Sequence, residues 1–280
     1  MSVSIEKDIV KQFGDGIMRS GAAVVDSELL VVPVCPSLDV VLGGGIPEGS
    51  FVTFTGQPKC GKTTTCLHFA AKCQGKEYGG ELCPEGRHVY FFNIEGRLKK
   101  RDLEGIPNLD LERFHVIGSE PGRILTAENY LSIAEKTINE VPGSVVILDS
   151  YSALCTEAEI TSSMDKMQRA DGAKLLAKFC RKVANVVPVN RNIVMGITHL
   201  MGNPTGYGAE FKEKSGQAVA YQVDVKLRAK RFSPWEVQDT QVGQKVDWQI
   251  VTSALGPPGG NITSYLRYGE GIDEATELVI

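Results

Sequence analysis

The apolar positions along this chain keep two rhythms and then change to a third. Phe51-Val52-Thr53-Phe54-Thr55, His88-Val89-Tyr90-Phe91-Phe92-Asn93-Ile94, Ser144-Val145-Val146-Ile147-Leu148 and Asn192-Ile193-Val194-Met195-Gly196-Ile197-Thr198 are near-continuous apolar or β-branched runs. Strands buried on both faces read this way, as in a parallel sheet. Between the runs lie helical spacings: Cys66, Phe69, Ala70 and Cys73; Tyr130, Ala134 and Ile138 within 126–140; and Ala173, Leu176, Cys180 and Val183. Strands alternating with amphipathic helices predict an α/β fold, a mostly parallel twisted sheet flanked by helices. From Val223 to Lys230 the pattern turns to strict alternation, and 246–251 and 262–268 continue the sheet. Half-exposed, antiparallel strands are expected at the C-terminal side. At the other end, Ile5, Ile9 and Phe13 with Val10 form one apolar stripe over 5–13, stopped by Gly14-Asp15-Gly16. The expected division is a helix and linker over 1–30 and a core over 31–280. The stripe can pack on its own core or on a neighbouring subunit, and spacing does not choose between them.

A length of 280 residues, 42% apolar and 23% charged, fits one large globular domain with a small appendage. No apolar run approaches the roughly 18 residues of a membrane span, and 1–8 lack a signal peptide's apolar core, so the cytosol is the default expectation and no membrane partner is expected. The seven cysteines are odd in number and scattered, unlike a disulfide framework. Cys73 and Cys83 have no second close pair to complete a zinc site. The net charge of −4 means that any nucleic-acid contact must come from a local patch.

The chemistry gathers at the ends of the apolar runs. Directly after the first comes Gly56-Gln57-Pro58-Lys59-Cys60-Gly61-Lys62-Thr63, and Thr64 continues into the helix. A G-x-x-x-x-G-K-[ST] loop between a strand and a helix turns backbone N–H groups around a polyphosphate, at a helix N-terminus that favours anions. Lys62 can reach the β- and γ-phosphates and the Thr63 hydroxyl can ligate Mg²⁺, so a nucleoside triphosphate site is expected. Cys60 is either a small filler of that loop or an oxidation-sensitive thiol. Glu95 follows the second run, at the sheet edge where ligands bind, and a carboxylate there can deprotonate an attacking water. Asp149 ends the third run, where such enzymes hold a magnesium ion. His199 ends the fourth, and beyond it 202–208 is glycine-rich. Between Met201 and Phe232 six basic residues (Lys212, Lys214, Lys226, Arg228, Lys230, Arg231) face three acidic ones (Glu210, Glu213, Asp224), a local +3. Tyr207 and Phe211 can stack on bases while the lysines hold phosphates, or the segment is a solvated loop.

Ser37-Leu38-Asp39, then Leu42-Gly43-Gly44-Gly45-Ile46-Pro47 ahead of the strand and phosphate loop, resembles the RecA/RadA/UvsX recombinase family. Lys11 to Arg19, Ser150 to Leu154, Gly202-Asn203-Pro204, Lys214 to Ala218 and Gly269 to Asp273 extend the likeness over nearly the whole chain. The resemblance implies a RecA-like core without the C-terminal domain of bacterial members. It implies ATP and Mg²⁺ as cofactors, Glu95 and Lys62 as catalytic, His199 as γ-phosphate sensor, and Thr63 and Asp149 at the metal. It places DNA contacts on the loops around 156–168 and 202–216, with Asn203, Tyr207, Phe211, Lys212, Lys214 and Gly216 as candidates. Ile9, Phe13 and Tyr221 become subunit contacts. The function implied is ATP-dependent strand exchange by a homo-oligomeric filament on single-stranded DNA, with duplex DNA bound during exchange. A single-stranded DNA-binding or mediator protein is an expected partner, and the setting is the bacterial cytoplasm, or a host cytoplasm for a phage protein. An ATP-clamped annealing protein with little turnover and a hexameric helicase-type motor stand as alternatives.

Two departures bear on chemistry. Thr252 and Ala254 occupy positions where bacterial members carry lysines that act on a neighbour's phosphates, so either hydrolysis is slow or Arg228 or Lys230 takes over. Leu98-Lys99-Lys100-Arg101-Asp102 lacks the aromatic on which the family stacks adenine, leaving an arginine or lysine face for that task.

Overall fold

A computed structural model describes residues 2–163, 171–202, 211–213, 219 and 222–279. Of the expected DNA and subunit contacts, Asn203, Tyr207, Lys214, Gly216 and Tyr221 lie outside the described residues. Phe211 and Lys212 are described as strand backbone only. The chain divides into two compact units, 1–30 and 31–280.

In the first unit, α1 (Ser2–Phe13) is followed by α2 (Gly21–Val25). Gly14, at φ 98°, ends α1 while donating its N–H to the Val10 carbonyl at 2.8 Å, a conformation cheap only for glycine. The Ser20 hydroxyl caps α2 by accepting from the Ala23 N–H at 3.1 Å. Ile5 and Phe13 are exposed and Ile9 is half-buried.

The second unit begins with a small ribbon, β1 (Val31–Val32) against β2 (Ile46–Pro47), with α3 (Pro36–Leu42) between them. The main sheet, among the described residues, takes β3 (Phe51–Gly56), β4 (Val89–Asn93), β5 (Phe114–Ile117), β6 (Val145–Asp149), β7 (Ile193–Gly202), β8 (Phe211–Glu213), β9 (Val225–Val237), β10 (Thr240–Thr252), β11 (Asn261–Arg267) and β12 (Gly271–Ile272). The order is β12-β11-β10-β9-β3-β7-β6-β4-β5, with β8 paired to β7. From β9 to β5 all neighbours are parallel; β10, β11 and β12 extend the sheet antiparallel, as the change of rhythm predicts. Helices α4 (Lys62–Cys73), α5 (Lys100–Glu104), α6 (Ala127–Glu140), α7 (Glu157–Thr161), α8 (Asp171–Val183) and α9 (Val186–Val189) complete the layers, with a last helix at Glu274–Val279.

The two apolar faces of the sheet each carry a core. One packs Cys66, Phe69, Ala70 and Cys73 of α4 against Phe54, Ile147 and Ile197, and reaches Trp248 on β10, whose ring meets Phe54 edge-on at 5.8 Å. The other packs Tyr130, Ala134 and Ile138 of α6 and Leu176, Cys180 and Val183 of α8 over Phe92, Val146 and Val194. All six residues of β3 are buried, so the loop 56–63 leaves from a strand with no solvent face.

Several elements differ from expectation. The polar stretch after 155 holds a turn of helix, α7, because Thr156 and Glu159 cap each other's N–H groups. The fourth run does not end at His199; its strand continues to Gly202 by pairing with β8. The alternating strands run on into a long β9–β10 hairpin, turned by Gln238 and Asp239 at φ 50° and 62°. Strand β5, an edge strand with one buried residue in four, has no expectation from its pattern.

The amino ends of the parallel strands are tied by buried polar groups. Arg87, wholly buried, donates to the carbonyls of Tyr78 (2.7 Å), Gly143 (2.8 Å) and Arg191 (2.9 Å) and to Glu48 at 2.5 Å. Asn192 donates to the Val141 carbonyl at 2.8 Å and the Ser144 hydroxyl at 2.9 Å.

Candidate functional site

The parallel register brings the carboxyl ends of β3, β4, β6 and β7 to one edge. Gly56 stands beside His199, and Asn93 beside Asp149. Lys62, Thr63 and Glu95 follow their strands, Asp149 ends β6, and His199 lies within β7 three residues before its end, so residues far apart in sequence converge there.

In the loop 56–63, Gly61 at φ 82° starts α4. A Cβ on Gly61 would fall 2.5 Å from Leu266 Cδ2 of β11, so the loop also rests on the antiparallel extension. Lys62 is 4% exposed, and its ammonium donates to the carbonyls of Gly56 (3.1 Å) and Gln57 (2.7 Å). Gln57, Pro58 and Lys59 are exposed and Thr64 half-buried. Cys60 is buried, and burial pushes its thiol up despite the Lys62 ammonium beside it. That suits a loop filler and not a reactive thiolate.

The Thr63 hydroxyl donates to Asp149 Oδ2 at 2.8 Å. Burial lifts the Asp149 carboxyl to about 6, against the Thr63 hydrogen bond and with a further push from the Glu95 charge. Glu95 is bound to the same segment: the N–H groups of Ile94 and Glu95 both donate to the Asp149 carbonyl, at 2.9 and 3.1 Å. The Asp149–Ser150 peptide is cis. Oε1 of Glu95 accepts from the Ser150 hydroxyl at 2.6 Å and from His199 Nε2 at 2.6 Å, while Arg97 lies 3.3 Å from Oε2. Burial pushes this carboxyl up, but the bonds from Ser150 and His199, with the Arg97 charge, hold it below the usual carboxylate range. A carboxylate only accepts, so His199 Nε2 carries the proton, and its Nδ1 is buried with no hydrogen-bond partner among the described residues. The His199 N–H donates to the Ser152 hydroxyl at 2.9 Å. Tyr151 lies across β7 so closely that a Cβ on Gly196 would stand 1.8 Å from its ring; only glycine fits there.

Thus the structure brings together Lys62, Thr63, Asp149, Glu95 and His199, an arrangement able to hold a polyphosphate beside an ionised carboxylate. Ser150 and Arg97 join them without any sequence expectation. Adjacency to Asp149 was the available signal for Ser150.

Comparison with known proteins agrees over the same span. A family model described as the RecA N-terminal domain matches residues 2–273. The chain belongs to the RecA family. Protein RecA of Clostridium botulinum (strain Eklund 17B / Type B) is 30% identical over 274 residues, covering 97% of this chain and 73% of that protein. Protein RecA of Geobacter metallireducens is 28% identical, covering 97% and 77%, and that of Campylobacter hominis is 29% identical, covering 100% and 77%.

Where this RecA-family chain departs from its relatives' pattern, the structure supplies particulars. The β9–β10 register sets Lys226 opposite Thr252 and Arg228 opposite Gln249, while Lys230 is exposed farther along β9. Lys99 and Lys100 begin α5 and Arg101 is exposed on it. Tyr268 is 58% exposed, its hydroxyl accepting from the Gln241 amide at 2.7 Å, and the neighbouring Gly269 carbonyl abuts Gly105 at the end of α5.

Proposed function

We propose that this chain is a RecA-family recombinase that couples ATP hydrolysis to filament formation and strand exchange on DNA. Membership over nearly the whole chain supports a recombinase and a DNA-dependent ATPase, and does not favour the annealing clamp or the hexameric motor. The observation that carries the site-level reading is the convergence of Lys62, the Thr63–Asp149 pair and the Glu95–Ser150–His199 cluster at one sheet edge.

In this reading the loop 56–64 binds the triphosphate through its backbone N–H groups, with Lys62 exchanging its carbonyl partners for phosphate oxygens. Thr63 and Asp149, an oxygen-only donor set 2.8 Å apart, fit a hard cation and would hold magnesium, directly and through its water shell. When bound, magnesium neutralises charge on the phosphate oxygens. Glu95 accepts a proton from the attacking water, and His199 reports the γ-phosphate. Single-stranded DNA is held by the segment around 202–216, with Asn203, Tyr207, Phe211, Lys212, Lys214 and Gly216 as contacts. The unit 1–30, through Ile9 and Phe13, and the core, through Tyr221, meet neighbouring protomers. A mediator protein and a cytoplasmic setting complete the proposal; among the described residues, no helix is long and apolar enough to cross a membrane.

The test is strand exchange between circular single-stranded DNA and a homologous linear duplex. Joint molecules should form with ATP and fail without nucleotide or in Lys62→Ala. Absence of joint molecules under conditions where the protein coats single-stranded DNA would overturn the recombinase assignment.

A further inference from the structure

The Glu95 carboxylate has three neighbours of unequal character. Arg97, on Oε2, has a side chain 79% exposed, so the ion pair is weak and easily exchanged for water. His199, on Oε1, has a side chain 24% exposed; in the reading above it reports the γ-phosphate, so a bound nucleotide competes with Glu95 for it. Ser150 is wholly buried, and its hydroxyl reaches the same Oε1 at 2.6 Å. Of the three, it is the donor with neither solvent nor a nucleotide to compete for it.

We propose that Ser150 is a positioning residue for hydrolysis: its hydroxyl pins Oε1 of Glu95 and so presents Oε2 to the attacking water. The backbone completes the clamp. The carbonyl of Asp149, one residue before Ser150, accepts the N–H groups of Ile94 and Glu95. The 149–150 step therefore fixes Glu95 at both main chain and side chain, and ties its place to that of Asp149. A carboxylate held at one oxygen can pivot only about that contact, and a misplacement of about 1 Å at a reacting group costs about a hundredfold in rate. This inference rests on Glu95 being the base.

The test uses the full chain with Ser150→Ala, Ser150→Thr and Glu95→Gln. Ser150→Ala should lower the DNA-stimulated kcat for ATP about tenfold to a hundredfold while KM changes little, because the lost contact orients the base and does not bind nucleotide. Ser150→Thr, which keeps the hydroxyl, should restore most of kcat. In a Glu95→Gln background, Ser150→Ala should cost nothing further. In the nucleotide-free protein at neutral pH, the Glu95 carboxyl ¹³C resonance should move in Ser150→Ala and return in Ser150→Thr. If Ser150→Ala fails to fold, Ser150→Cys, similar in size but a weak donor, should show the same loss of kcat. A kcat within about twofold of wild type in the Ala or Cys variant, an equal loss in the Gln background, or an unmoved resonance would each overturn the proposal. If Glu95→Gln itself hydrolyses ATP at the wild-type rate, the base assignment fails instead, and the resonance still decides whether Ser150 orients Glu95.

Discussion

The two edges of the parallel sheet bury charge in opposite ways. At the amino edge, Arg87 is wholly buried and donates to three carbonyls and to Glu48. Each of its nitrogens has a partner in the same fold, so little is left to offer a ligand. At the carboxyl edge, Asp149 is lifted to about 6, His199 Nδ1 and Thr198 Oγ1 are buried without hydrogen-bond partners among the described residues, and Lys62 rests on main-chain carbonyls. Both edges contain ion pairs, so counting pairs would not separate them. What separates them is the completeness of the buried charges, since Asn192 Oδ1 at the amino edge also has no hydrogen-bond partner among the described residues. A satisfied buried charge holds strands together, whereas groups with spare capacity or a displaced pKa are candidates for chemistry.

The comparison breaks most visibly at Arg87. Arg87→Met leaves Glu48 buried with Arg191, 3.6 Å away, as its remaining cation among the described residues, and three carbonyls without their donor. A loss of about 3–5 kcal/mol is expected, read in a denaturant titration. Any folded protein should keep its KM for ATP, since the proposed nucleotide site lies at the other edge. A change in KM without loss of stability would mean that the edges are not separable. The double variant Arg87→Met, Glu48→Leu should recover part of the stability, because the uncompensated charge goes with its partner.

A smaller effect of opposite sign is expected at Asp149. Its folded pKa of about 6 lies above the ordinary 3.8, so between these values the folded state binds more protons than the unfolded one. Stability from this group therefore falls as pH rises from about 4 to 6, and above that window the ionised carboxylate is a net cost. Asp149→Asn should stabilise the nucleotide-free protein at neutral pH by at most about 3 kcal/mol and have little effect below pH ~4. Destabilisation at neutral pH would show that this carboxylate is satisfied like Arg87.

The same distinction explains what the sequence disclosed. The strand, phosphate loop and helix from Phe51 to Cys73 were legible because every device there is local: a continuous apolar run, glycines at fixed offsets and helical spacing. Glu95 and Asp149 were legible as the residues after apolar runs. Their partnership was not. Ser150 lies 55 positions from Glu95, and His199 104 positions, and only the parallel register brings them together. Arg87 was hidden because an arginine before a strand normally reads as solvent-facing. Strand β5 was hidden because an edge strand with one buried residue in four carries no run of its own. The Thr156–Glu159 capping box could have been read from spacing, but the polar stretch around it masked the helix it starts.

The most direct test is ATP hydrolysis by wild type and Glu95→Gln, each with and without single-stranded DNA. A DNA-stimulated rate that falls about a hundredfold to ten-thousandfold in Glu95→Gln, with nucleotide binding retained, is the predicted result. Equal turnover by the two proteins, or hydrolysis indifferent to DNA, would contradict the assignment of this edge as the catalytic site of a recombinase.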